Sequence, residues 1–247
     1  MAHRTRKRLG TFGLTAVVVA LGTLIVGVAL ALITIQITGS VASNEFATTT
    51  TTVPPTTTTT VPGGDGLRAA ISTNGSDRFA CQNAINAGSL TLGAESFDLN
   101  SSAAQSLSPQ THLCVTNRLE GGFNEIRTLT VQAIVDGSTE DACSDDEKTT
   151  DPDGPADCGS VGELGDVVQV VLVPAFLQDV GCRNSPEGVV PGGAPVSLLN
   201  GSGALTFDFV CSWEVKLQLL GSATYDEKLA ASTDSIALRL DITGSGG

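Results

Sequence analysis

The chain has 247 residues, with 13 Lys and Arg against 26 Asp and Glu, a formal net charge of −13 and only 4% aromatic residues. Four of the basic residues fall in the first eight positions, so the remainder carries 9 basic against 26 acidic residues, a formal charge of −17. A surface of that sign repels nucleic acid and anionic lipid, which removes both as partners, and keeps an exported chain soluble.

Residues 1–8 form a basic end, with Arg4, Arg6, Lys7 and Arg8. An uncharged apolar run from Leu9 to Ile37 follows, and the next charge is Glu45. A secretory signal has an apolar core of about 7–15 residues and a membrane span needs about 20, so residues 9–39 read as a transmembrane anchor or a long signal segment. The basic flank places the N-terminus inside and the C-terminus outside. Ser40-Val41-Ala42 and Val41-Ala42-Ser43 are small-x-small cleavage sites, so both an uncleaved anchor and a cleaved signal fit. The membrane is a partner through residues 9–39 only if that segment stays attached.

Residues 40–64 are a linker rich in Thr and Pro, with the tract Thr48–Pro62 at its centre. Its prolines favour polyproline II and its composition cannot bury a core. Fully extended at about 3.1 Å per residue, it reads as a stalk of roughly 50 Å.

Residues 65–247 read as one extracellular β-domain. Segments Ser89–Leu92, Phe97–Leu99 and Leu113–Val115 are short strands. Leu129, Val131, Ala133 and Val135 alternate with polar residues, as do Ile236, Leu238, Leu240 and Ile242. The odd positions from Leu205 to Leu219 are all apolar, including Phe207, Phe209 and Trp213, which predicts one long strand or two with a slight bend. Asp166–Val173 is nearly continuous in apolar residues and reads as a strand buried on both faces, after one helical turn within Ser160–Gly165. Many short strands between turns rich in Gly, Pro, Asn and Asp predict an all-β, jelly-roll-like β-sandwich.

The six cysteines all lie beyond the apolar run, and an even count in an exported domain reads as three disulfides. Fifteen connectivities are open. Cys143–Cys158 leads because it closes a short acidic loop, a staple worth about 3 kcal/mol. The others pair most simply as Cys81–Cys114 and Cys182–Cys211.

Candidate chemistry is sparse. Asp141, Asp145, Asp146, Glu147, Asp151, Asp153 and Asp157 crowd one segment. Calcium takes six to eight oxygens, and Asp145, Asp146, Asp151, Asp153 and Asp157 are its candidate ligands, although no EF-hand spacing is present. The alternative is a solvated acidic loop closed by Cys143–Cys158. Glu163 and Asp166 invite a paired-carboxylate reading, set against a helical turn and strand entry. His112, the one histidine beyond the apolar run, has no H-E-x-x-H around it, and no G-x-S-x-G occurs. The chain is therefore expected not to be an enzyme.

Three pieces in order resemble a known family. Leu107-Ser108-Pro109-Gln110-Thr111 with Cys114-Val115-Thr116-Asn117 is similar to the "L-x-P-G-D … C-x-T-V-x-N" stretch of TasA/camelysin-type secreted proteins. Asp157-Cys158-Gly159 with Glu163-Leu164-Gly165-Asp166-Val167-Val168 resembles their "G-x-L-x-D-x-l-x-V" segment. Ser40–Ala47 resembles the stretch after their signal peptides, which a SipW-type peptidase removes. Here Gln110-Thr111 stands in place of Gly-Asp, and the threonine tract interrupts the path to the first strand. The resemblance implies a jelly-roll domain, export, and assembly into extracellular fibres by insertion of an N-terminal segment into the next subunit's sheet. The other roles open to such a chain are a tethered, monomeric binding or adhesion module and, behind it, a hydrolase.

Overall fold

The computed structural model describes residues 33–43, 66–88, 92, 95–118, 125–140, 142–143, 145, 147–151 and 158–246. Residues 1–32, most of the apolar run, lie outside them, as does the whole Thr/Pro tract. Among the described residues no helix is long and apolar enough to cross a membrane.

The strands are β1 (Ile33–Ser43), β2 (Leu67–Ser72), β3 (Glu95–Phe97), β4 (Gln105–Asn117), β5 (Glu125–Glu140), β6 (Val168–Leu177), β7 (Glu187–Val189), β8 (Val196–Ser197), β9 (Leu205–Thr206), β10 (Val210–Leu219) and β11 (Asp234–Gly246). They form two sheets. One runs β3-β1-β11-β5-β8, with β9 also on β5, and the other runs β2-β4-β10-β6-β7. Neighbours are antiparallel except β1 and β3.

Period-two alternation explains why the two sheets share one core. Leu129, Val131 and Ala133 of β5 and Ile236, Leu238, Leu240 and Ile242 of β11 line one wall. Leu113 and Val115 of β4 with Trp213, Val215 and Leu217 of β10 line the other. Val168, Val170 and Leu172 of β6 are fully enclosed. Trp213 is completely buried, and its indole N–H donates to the Arg183 carbonyl at 3.0 Å. Trp213→Ala is expected to cost about 3–5 kcal/mol of unfolding free energy through the cavity it leaves. Denaturant melts of the disulfide-intact protein check this, and a loss below about 1 kcal/mol would contradict the packing.

The run Leu205–Leu219 departs from the simple alternation. It breaks at Phe207–Phe209, because β9 pairs with β5 in one sheet while β10 pairs with β4 and β6 in the other. The chain changes sheets there through Asp208, whose φ of 63° is left-handed. Arg78 (3.3 Å) and Arg118 both hold the Asp208 carboxylate. Phe207 and Phe209 therefore do not join the core face and are 37% and 36% exposed. Strand β4 is also longer than Leu113–Val115 suggests. It carries Pro109 in a bulge where its pairing jumps from Val215↔Thr111 to Lys216↔Ser106, a place where a missing N–H does no harm.

Among the described residues, three short helices join the sheets. Helix α1 (Arg78–Ala87) starts at Asp77, whose side chain accepts from Ala80 N at 2.9 Å, and ends at the left-handed Gly88. Its Cys81 and Ile85, one turn apart, pack with Ala70, Cys114 and Val210 on the outer face of the five-stranded sheet. Helix α2 (Leu164–Val167) lies at the end of the turn expected within Ser160–Gly165. Helix α3 (Tyr225–Ala230) begins with a reciprocal capping box between Thr224 and Glu227.

Disulfides join Cys81 to Cys114, Cys143 to Cys158 and Cys182 to Cys211, and no cysteine is left free. The first ties α1 to β4. The third ties the loop after β6 to the start of β10.

The end of the apolar run has a definite place. Strand β1 pairs antiparallel with β11 from Ile33↔Gly244 to Ala42↔Ser235. It also pairs parallel with β3 through Val41↔Glu95, Ala42↔Ser96 and Ser43↔Phe97. Residues assigned from the sequence to a membrane or signal segment and to the start of a linker thus lie inside a sheet.

Candidate functional site

Among the described residues, a group of carboxylates gathers where β5 ends and β11 begins. Glu140 and Asp234 are direct cross-strand partners. Glu163 comes from the turn entering α2, and Glu147 and Asp151 from the 3₁₀ turn Glu147–Thr149 and the residues after it. Asp234 and Glu147 have no exposed surface, and Asp151 is nearly as enclosed. Carboxylate oxygens of Glu140, Glu163 and Asp234 lie within 4.8 Å of one another, and Glu140, Asp151 and the Cys158 sulfur form a second such group. Because that sulfur is in the Cys143–Cys158 bond, it offers no thiolate, and oxygens carry the site.

Local folding fixes these positions. Asp234 Oδ2 accepts the backbone N–H groups of Glu163 and Leu164, the latter at 3.0 Å, and so holds the entry to α2. The approach is close enough that a Cβ on Gly162 would fall 2.5 Å from the Asp234 carboxyl carbon, which explains glycine there. Thr233, with a left-handed φ of 65°, donates its hydroxyl to the Ala142 carbonyl. The same hydroxyl lies 3.4 Å from Glu140 Oε1 and 3.3 Å from Glu147 Oε2. Glu140 Oε1 also accepts from Ala142 N at 3.1 Å.

The electrostatics follow from burial. Desolvation, then the neighbouring Glu140 and Glu163 carboxylates, push the Asp234 pKa up to about 9, against the two N–H donors that favour its anion. Burial raises Glu140 as well. Two acids side by side in a low-dielectric pocket cannot both ionise cheaply. Burial and mutual repulsion thus favour a proton shared on this pair. A hard, oxygen-seeking cation would compete for the same oxygens.

The residues singled out from the sequence divide sharply. Asp151 is in the cluster. Asp145 is not: its side chain is 97% exposed and bonds Lys148 Nζ at 2.9 Å, a contact that lowers its pKa. Asp146, Asp153 and Asp157 lie outside the described residues, as does Asp141. Asp166 is exposed, so Glu163 meets Asp234 rather than Asp166. Glu140 and Asp234 were missed, being 94 positions apart in sequence, and only the register of β5 on β11 joins them.

His112 sits on the outer face of β4, beneath the turn that leads to α1. Gly75 N donates to its Nδ1 at 3.2 Å, and a Cβ on Gly75 would fall 2.3 Å from His112 Cβ. Burial lowers its pKa, against the Glu214 carboxylate and the Ser72 backbone, which raise it. Ser212 donates its hydroxyl to the Gly75 carbonyl. The Nδ1 lone pair is therefore committed to backbone, which suits a structural histidine.

No protein-family model, curated protein or solved structure matches this chain.

Proposed function

We propose that this chain is an exported cell-surface or extracellular-matrix structural protein with a jelly-roll-like sandwich. It assembles by β-strand addition at the position that β1 holds between β3 and β11. The observation that carries this reading is the ten-pair β1–β11 ladder. Its strand is supplied by a segment separated from the rest of the domain by residues 44–66, and that segment contains the expected processing site. Extended segments that add to a sheet edge gain main-chain hydrogen bonds over their whole length. The three disulfides suit an oxidising compartment, and the resemblance to TasA/camelysin-type proteins agrees. Electron microscopy of the exported domain, with and without residues 40–64, tests assembly. Fibres that depend on that segment are expected, and monomers under all conditions would count against a fibre role.

A second reading is a membrane-tethered, monomeric binding or adhesion module. It is favoured by the same ladder formed within one chain, which closes the sheet against partners. N-terminal sequencing of the native protein separates the two: a start at Ser43 or Asn44 supports release, and an intact Met1 end supports the tether.

The carboxylate cluster supports a calcium role at Glu140, Asp151, Glu163 and Asp234. Because calcium and protons compete there, millimolar calcium is expected to raise the melting temperature by several degrees at pH 8 and by little at pH 5. Calorimetric titration reads the same event, and no heat at millimolar calcium would end the idea.

A further inference from the structure

Strand β1 is enclosed where processing would have to occur. Ser40, Val41 and Ala42 face Ala237, Ile236 and Ser235 of β11, while Val41, Ala42 and Ser43 also pair with β3. Both small-x-small sites thus share Val41 and Ala42, which have neighbours on both edges, while Ser40 pairs only with β11 and Ser43 only with β3. A peptide offered to a protein as an extended strand is recognised through free main-chain groups. A strand paired on both sides has none to offer until it opens locally, and in the interior of a sheet that opening costs a large part of the global stability.

Docking is compatible with a retained anchor. With β1 beginning at Ile33, Leu9–Leu32 still provides 24 uncharged residues, more than the roughly 20 that a span needs. The Thr/Pro tract then joins the end of β1 to the start of β2, two strands of one compact unit. Pinned at both ends on one body, it does not set the distance from membrane to domain. The stalk expected from the sequence exists only when β1 is undocked.

We propose that docking of β1 and removal of the N-terminal segment exclude one another. A chain that docks β1 first remains a tethered, self-capped monomer. A chain cut first is released with the position between β3 and β11 open to the freed N-terminal arm, beginning at Ser43 or Asn44, of a second copy. This rests on the strand-addition reading and adds its control point: the competition between folding and cleavage.

The test uses the full chain in the membranes of a host that processes it. Thr34 and Thr243 are direct partners in the ladder, so Thr34→Cys with Thr243→Cys reports docking as an added disulfide. Gln36→Cys with Asp241→Cys, another facing pair, guards against misfolding of the first variant, and each single cysteine controls for mispairing. Crosslinking within one chain is expected only in molecules with an intact N-terminus, and those molecules resist processing after further incubation, whereas uncrosslinked molecules are cut. Two results would overturn the proposal: an intact chain that does not crosslink in either variant, or a crosslinked chain cut near residue 42 with its N-terminal piece held by the disulfide. Microscopy of the released fraction reports on strand addition separately. Fibres without crosslinking inside intact chains sink the exclusion and spare the assembly reading; monomers alongside such crosslinks do the reverse.

Discussion

A chain that begins at Asn44 is expected to lose most of its stability as a monomer. Removing β1 strips β11 of its partner from Ser235 to Gly244 and leaves β3 without any strand beside it. At about 0.5–1.5 kcal/mol net per hydrogen bond, a ladder of that length is worth on the order of 5–10 kcal/mol. That is comparable to the about 5–15 kcal/mol that holds a whole domain folded. The shortened chain should therefore unfold at low concentration, and it regains stability as concentration rises only if the arm that begins at Asn44 in another copy fills the gap. Denaturant melts across a hundredfold concentration range check this. Equal, concentration-independent midpoints for the long and short chains would mean that β1 contributes nothing.

The second large effect lies at Asp234. Asp234→Ala removes the oxygen that accepts from Glu163 N and Leu164 N, and two enclosed donors without a partner cost about 2–4 kcal/mol together. Asp234→Asn keeps an acceptor and cannot ionise, so it separates hydrogen bonding from charge. The wild-type carboxyl has its folded pKa raised from 3.8 to about 9. Below about pH 4 both folded and unfolded states hold the proton and the group adds no pH dependence. Between about 4 and 9 the folded state keeps the proton that the unfolded state releases, so this group's contribution to stability falls as pH rises. Glu140, also raised, acts in the same direction. In metal-free buffer the wild type should lose stability from pH 5 to 9, and Asp234→Asn should flatten that slope. A wild-type slope unchanged in Asp234→Asn would show that the carboxyl ionises freely.

What the sequence made legible is what depends on local period. The alternation in 129–135 and 236–242 identifies two strands, and their inward residues form one wall of the core. The apolar run at 166–173 holds the first six residues of β6, which starts later and runs on to Leu177, and Trp213 reads as core and is core. Where local period and tertiary path diverge, the reading weakens. Phe207 and Phe209 continue an alternation that the chain abandons to change sheets, and nothing in the pattern marks Asp208 as the corner. Helix α1 was hidden by its shortness, although Asp77 and Gly88 are a recognisable start and stop. The Thr224–Glu227 capping box is an equally local start signal, for α3.

The site was less legible than the fold for a physical reason. Acidic crowding in 141–157 drew the expected ligands to adjacent positions, yet Asp145, one of the two that are described, is exposed and pairs with Lys148. Burial selects which carboxylates matter, and burial here comes from the register of β5 on β11. The apolar stretch ending at Ile37 illustrates the same limit. Hydrophobicity suits a membrane and a sheet equally well, and only the pairing partner, β11, distinguishes them for residues 33–43.

Hydrogen exchange at the amides of β11 tests the central claim most directly. In the intact chain the residues from Ser235 to Gly244 should be among the slowest to exchange, since β11 has β5 on one side and β1 on the other. In a dilute chain lacking residues 1–43, the amides that point toward β1 should exchange at least a hundredfold faster, and assembly should restore their protection. Fast exchange of those amides in the intact chain, or equal protection in both chains, would contradict the account.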